Sequence, residues 1–133
     1  MSFKYYQPIL LPDLFNCVKR TFTQANAPLN LSYDDFSIRM LEKLRINGEI
    51  SGLMLDNEEL IGFMLHSRAY FQGIDTIYNG GTGIVSAYRG KGIIQKIYKN
   101  LLPNLKGSGA ERILLEVITT NLSALKLYEV MGF

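Results

Sequence analysis

Arg89-Gly90-Lys91-Gly92 is the segment of this 133-residue chain whose residue types and spacing bear most directly on chemistry. β-type residues at Ile84 and Val85 precede it. Ile93, Ile94, Ile97, Tyr98, Leu101 and Leu102 follow it on one face of a 3.6-residue repeat. A basic, Gly-rich turn therefore stands where a strand hands over to a helix. The first N–H groups of a helix have no internal partner, and the helix dipole adds positive potential there. Glycines let phosphate oxygens reach those donors without meeting a Cβ. The arrangement predicts a pyrophosphate cradle over residues 89–94. Neither Gly-x-x-x-x-Gly-Lys-Ser/Thr nor Gly-x-Gly-x-x-Gly occurs, so the P-loop and the dinucleotide fingerprint are both set aside.

Other reactive side chains are few. Cys17 is the single cysteine, which rules out an internal disulfide and suits a reducing cytoplasm. With no plausible His partner it is expected on a core or helix face. His66, the one histidine, reads as a surface or core residue at the far end of a hairpin rather than as a catalyst, and no metal is expected.

The positioning elements follow from periodicity. A short strand from residue 3 gives way near Pro12 or Asp13 to a helix with Leu14, Phe15, Val18 and Phe22 at helical spacing. Residues 26–30 read as a loop around Pro28. A second helix starts at Ser32, carries Asp34 and Asp35 in its first turn, buries Phe36, Met40, Leu41 and Leu44, and stops at Asn47-Gly48. From residue 49 the period changes to that of a β-hairpin around Asp56, Asn57 and Glu58. Residues 75–87 read as another strand with Gly80, Gly81 and Gly83 inside it, favouring a bulge or a ligand close to the backbone over a plain turn. The helix after Gly92 is expected to end or kink at Pro103 or Gly107. Ile113, Leu115 and Val117 form a further strand, and Asn121 caps a last helix through Leu122, Leu125, Tyr128 and Met131. The order is mixed α/β, read as one domain over residues 1–133.

Composition narrows the function. Apolar residues make up 47% and charged residues 20%, as in ordinary globular proteins. No apolar run approaches the roughly 18 residues a membrane span needs, and Lys4, Gln7, Pro8 and Asp13 break up any leader, so a cytoplasmic protein is expected. Residues 1–88 carry seven Lys or Arg against nine Asp or Glu, net −2, and residues 89–133 carry seven against three, net +4. That local excess suits a phosphorylated small molecule better than nucleic acid, which usually meets a wide basic stripe.

The segment Leu115-Glu116-Val117-Ile118-Thr119-Thr120-Asn121-Leu122-Ser123-Ala124-Leu125-Lys126-Leu127-Tyr128-Glu129-Val130-Met131-Gly132-Phe133, together with Tyr88-Arg89-Gly90-Lys91-Gly92, resembles the GNAT (Gcn5-related N-acetyltransferase) family. The likeness is good over about residues 50–133, and the first two helices match in order alone. It implies the acyl-CoA N-acyltransferase fold, a central, mostly antiparallel sheet flanked by helices, and acetyl-CoA as co-substrate. The resemblance assigns the pyrophosphate to the amides of Gly90, Lys91, Gly92, Ile93 and Ile94 in the turn that Arg89 opens. It assigns the pantetheine arm to Gly83, Ile84 and Val85, and a contact beside it to Asn121. The family usually has Gly or Ala where this chain has Ile94, and a β-branched residue there could weaken or tilt the cradle.

Glu116 and Tyr128 stand twelve positions apart, as do the proposed base and acid of the bacterial enzymes that acetylate ribosomal-protein N-termini. The chemistry needs such a pair, because an amine with a reference pKa of roughly 8 for an α-amine or 10.4 for Lys is mostly ammonium at neutral pH. Glu116 would take the proton, directly or through water, a strand N–H near Val85 would meet the developing oxyanion, and Tyr128 would protonate the departing thiolate. Glu116 also suits a strand-edge carboxylate paired with Arg112 or a Lys, and Tyr128 a core aromatic of the last helix. The expected activity is acetylation of a primary amine of a small molecule or peptide in a ternary complex. The alternative is a non-catalytic CoA-binding module, such as the degenerate half of a tandem protein; an interaction domain without a CoA site is a third reading. The acceptor would lie against residues 24–35, where Asp34 and Asp35 serve more readily as helix N-terminal charges than as an amine trap. Family domains continue past Gly132-Phe133 into two more strands, so the last two strands are expected to be missing, with a longer parent protein or a homodimer through the uncovered edge as the consequence.

Overall fold

The computed structural model describes residues 1–23 and 32–115. Their strands are β1 (Ser2–Tyr5), β2 (Gly52–Asp56), β3 (Glu59–Phe71), β4 (Ile74–Ile84) and β5 (Arg112–Leu115), and their main helices are α1 (Leu11–Thr23), α2 (Tyr33–Ile38) and α3 (Ile93–Gly107). The strands make one sheet in the order β1-β2-β3-β4-β5, antiparallel through β4, with β5 parallel to β4. This is the mixed, mostly antiparallel sheet that the sequence led us to expect.

Local rules account for each element. A 3-10 turn at Pro8–Leu10 leads into α1, which starts at Leu11 with Pro12 in its first turn, where a missing N–H costs nothing. Leu14, Cys17 and Val18 on α1 are buried. Ser32 caps α2 by accepting the Asp35 N–H at 3.1 Å, with Asp34 and Asp35 in the first turn. The helix continues as a π turn over Arg39–Lys43. That turn rotates Leu41 out of the buried stripe: Phe36 and Met40 are buried but Leu41 is 46% exposed, against expectation. Asn57 and Glu58 both take positive φ, 50° and 67°, and so close the β2–β3 hairpin with the twist that tight hairpins favour.

Alternation across β3 sets the two layers. A Cβ added to Gly62 would lie 3.5 Å from Ile97 Cδ1 of α3. A Cβ on Gly83, which pairs with Phe63, would lie 2.7 Å from the Phe63 ring and 3.1 Å from Thr21 Cγ2 of α1. Helix α3 therefore covers one face and α1 the other, with Ile93, Ile94, Ile97, Leu101 and Leu105 buried under α3. Helix α3 runs through Pro103 to Gly107.

Candidate functional site

The turn between β4 and α3 is built from short-range bonds. Val85 donates to the Ile61 carbonyl at 2.9 Å and accepts from Tyr88 N–H at 2.9 Å, and Arg89 donates to the Ser86 carbonyl at 3.2 Å. The Tyr88 hydroxyl donates to Asp56 Oδ2 at 2.7 Å, which ties this turn to the β2–β3 hairpin. That bond, together with burial, raises the Tyr88 phenol above its ordinary value. Lys91 Nζ sits 5.5 Å from the centre of the Tyr88 ring, a cation held over an aromatic face.

Beyond Arg89 the backbone turns twice through left-handed conformations, Gly90 at φ 76° and Gly92 at φ 71°, where a Cβ is strained. Gly92 caps α3, and the first turn-closing bond runs from Lys96 N–H to the Gly92 carbonyl at 3.1 Å. Among the described residues no backbone carbonyl takes the N–H of Gly90, Lys91, Gly92, Ile93, Ile94 or Gln95. Nothing stands within 4 Å of a Cβ placed on Gly90, so the space in front of these donors is open. Arg89, Lys91 and Lys96 are exposed around it. Ile94, the residue expected to tilt the cradle, turns its side chain into the core and is only 6% exposed. Its bulk lies behind the donors rather than in front of them.

Strand β4 supplies the second part. It pairs with β5 from Thr76 to Asn79, and among the described residues Gly81–Ile84 pair with β3 alone. The register slips between Leu65 and His66, which face Gly81 and Asn79 and leave Gly80 as the extra residue, so the glycine cluster does contain a bulge. The cluster's other glycines differ in cause. Gly83 is required by Phe63 packing on the α1 side, with no ligand needed to explain it. Because Val85 points its N–H at β3, alternation turns the donors of Ile84 and Thr82 to the opposite edge. Both Val85 backbone groups are engaged internally, against the expectation that Val85 pairs with the pantetheine arm, and the strand donor expected near Val85 is that of Ile84.

His66 is not at a hairpin end. It lies midway along β3 and is 1% exposed. Burial pushes its ring below the ordinary imidazole value, a hydrogen bond to the Ile50 carbonyl opposing that shift. Asn79 on β4, weighed in the sequence only for a plain turn with Gly80, contacts it. Cys17 is buried and its thiol is pushed up to about 12, chiefly by burial, so it stays protonated as a core residue. Glu116, Asn121, Tyr128 and the loop at 26–30 lie outside the described residues. No helix among the described residues is long and apolar enough to cross a membrane.

Comparison with known proteins gives this geometry a family. The model of the acetyltransferase (GNAT) family matches residues 11–133. N-alpha-acetyltransferase 30 of Schizosaccharomyces pombe is 35% identical over 86 residues, covering 64% of this chain and 57% of that protein, so the chain spans little more than half that relative's length. The ribosomal-protein-S18-alanine N-acetyltransferase of Escherichia coli superposes with a TM-score of 0.74 at 18% identity, covering 98% of this chain and 76% of that one. An aminoglycoside N-acetyltransferase in complex with CoA reaches 0.75 at 14% identity, covering 99% and 86%. At such identities the two structures speak for the shared fold. With the family model spanning nearly its whole length, the chain belongs to the GNAT family of acetyltransferases, which take their acetyl group from acetyl-CoA.

Proposed function

We propose that the chain transfers the acetyl group of acetyl-CoA to a primary amine of a small molecule or peptide, by direct attack while both are bound. The observation that carries this reading is the run of N–H groups from Gly90 to Gln95 without backbone acceptors, opening beside a β4 edge that has its own outward donors at Thr82 and Ile84. The residues present fit CoA. The left-handed glycines leave clear space for phosphate oxygens, the helix end supplies positive potential, and three exposed cations surround it.

When bound, acetyl-CoA supplies an activated thioester. The amides of Gly90, Lys91, Gly92, Ile93 and Ile94 hold its pyrophosphate, and the β4 edge at Gly83 and Ile84 lies along its arm, with Asn121 beside it. Glu116 takes the ammonium proton of the acceptor, leaving a lone pair to form the C–N bond. The Ile84 N–H meets the negative charge that develops on the carbonyl oxygen. The nitrogen, now bonded to the acyl carbon, gives its second proton to solvent, and as the C–S bond breaks Tyr128 protonates the departing sulfur.

The experiment is thiol release from acetyl-CoA with peptide N-termini, polyamines, aminoglycosides and amino acids in turn. Peptide N-termini come first because the curated relative is named for N-alpha-acetylation. Glu116→Gln and Tyr128→Phe should each slow turnover at least about a hundredfold, the low end for losing a proton-transfer group, with CoA binding retained. A folded chain that binds neither CoA nor acetyl-CoA in calorimetry would refute the proposal. Binding without turnover on any amine would favour the non-catalytic CoA-binding module instead.

A further inference from the structure

The bulge in β4 poses a physical problem. Gly80 is an extra residue with no ladder partner, and Gly81 and Gly83 beside it carry the widest backbone freedom of any residue type. Left to itself, such a segment would sample several shapes, and the donors on its outer edge would point in several directions.

The side chain of Asn79 removes that freedom. Its Oδ1 accepts the Gly81 N–H at 3.0 Å, while its Nδ2 donates to Thr82 Oγ1 at 2.9 Å and faces His66 Nε2 at 3.3 Å. The carboxamide thus clamps the residues on either side of Gly80. His66 is able to accept because its Nδ1 lies 2.6 Å from the Ile50 carbonyl, a contact that requires the proton on Nδ1 and leaves a lone pair on Nε2. His66 is itself fixed at the backbone: its N–H donates to Ser51 Oγ at 2.8 Å, and its carbonyl accepts from Ser51 Oγ and from the Asn47 N–H at 3.1 and 2.9 Å. A buried chain of bonds therefore runs from the start of β2 through His66 and Asn79 to Thr82.

We propose that His66, Asn79 and Thr82 are positioning residues that fix the β4 bulge and so aim the outward Ile84 N–H, two residues beyond Thr82, at the acyl carbonyl, letting the site prefer acetyl-CoA over CoA. This rests on the acetyl-transfer reading above. A network that served folding alone would have no reason to distinguish the ester from the thiol.

The test is calorimetry of CoA and acetyl-CoA with the wild-type chain, Asn79→Ala, Thr82→Val and Thr82→Ser, with a thermal melt of each. Thr82→Val keeps the shape of a part-exposed residue while removing the acceptor for Asn79, so it decides the matter even where Asn79→Ala fails to fold. The wild type should bind acetyl-CoA more tightly than CoA. Thr82→Val should reduce that preference, read as the ratio of the two dissociation constants, about fivefold, the worth of one well-aligned hydrogen bond. Thr82→Ser should restore it. An unchanged preference in Thr82→Val, or equal affinity for both ligands in the wild type, overturns the inference and leaves the acetyltransferase reading standing. Failure of the wild type to bind either ligand overturns both.

Discussion

Gly92 takes a left-handed backbone at φ 71° as the N-cap of α3, next to the donors of its first turn. Replacing it with Ala should cost about 1–2 kcal/mol in backbone strain while setting a methyl group at the mouth of the cradle. We expect Gly92→Ala to fold and to lose most of its affinity for CoA by calorimetry. Gly107→Ala, at a site with open space and no positive φ, is the matched control and should bind as wild type does. His66 gives a second test at this scale. Its folded pKa is lowered, so between that value and the ordinary value of about 6.5 the unfolded chain binds the extra proton more readily. Stability from this group is therefore complete above about pH 6.5 and is lost as the pH falls through the folded value. No charged group contributes to its shift, and the Asp75 carboxyl, lowered by its bond to Arg68, titrates in a more acidic range. Urea midpoints measured at pH 7.5 and 5 should fall on acidification in the wild type and fall less in His66→Gln. Equal falls in both would show that the loss comes from elsewhere.

At the scale of elements, α3 is the part that holds the site to the sheet. Ile97 is fully buried and its side chain meets the positions of Gly52 and Gly62, so its truncation leaves a void that neither glycine can fill. Ile97→Ala should destabilise the chain by about 2–5 kcal/mol, read as a lower urea midpoint, with little change in CoA affinity of the folded fraction. That helix was legible because its buried face repeats at 3.6 residues. Its end at Gly107 was legible too; at Pro103, which forfeits one backbone bond, Leu101 and Leu105 on either side are buried and carry the helix on. Leu41 misled, since periodicity assumes a regular helix and the π turn breaks that assumption. His66 was read at the far end of the hairpin, and a histidine is polar. The polarity is in fact satisfied inside the sheet by Ser51, Ile50 and Asn79.

For the molecule as a whole, the cradle and the bulge were not equally readable. A phosphate nest depends on backbone donors and on glycines next to each other in the chain, so four residues announce it. The His66–Asn79 contact joins residues thirteen positions apart through a register slip, and nothing local to either one encodes it. The global test of the cradle is linkage. A ligand that binds the folded chain alone stabilises it by about 2.7 kcal/mol at a hundredfold excess over its dissociation constant. For a chain of this size that corresponds to a melting temperature roughly 10 °C higher. Acetyl-CoA should produce such a rise in the wild type at low salt, and added salt should shrink it as Arg89, Lys91 and Lys96 are screened. Gly92→Ala at the same ligand concentration should show almost none. A rise of equal size in that variant would place the ligand somewhere other than the start of α3, where the left-handed Gly92 stands.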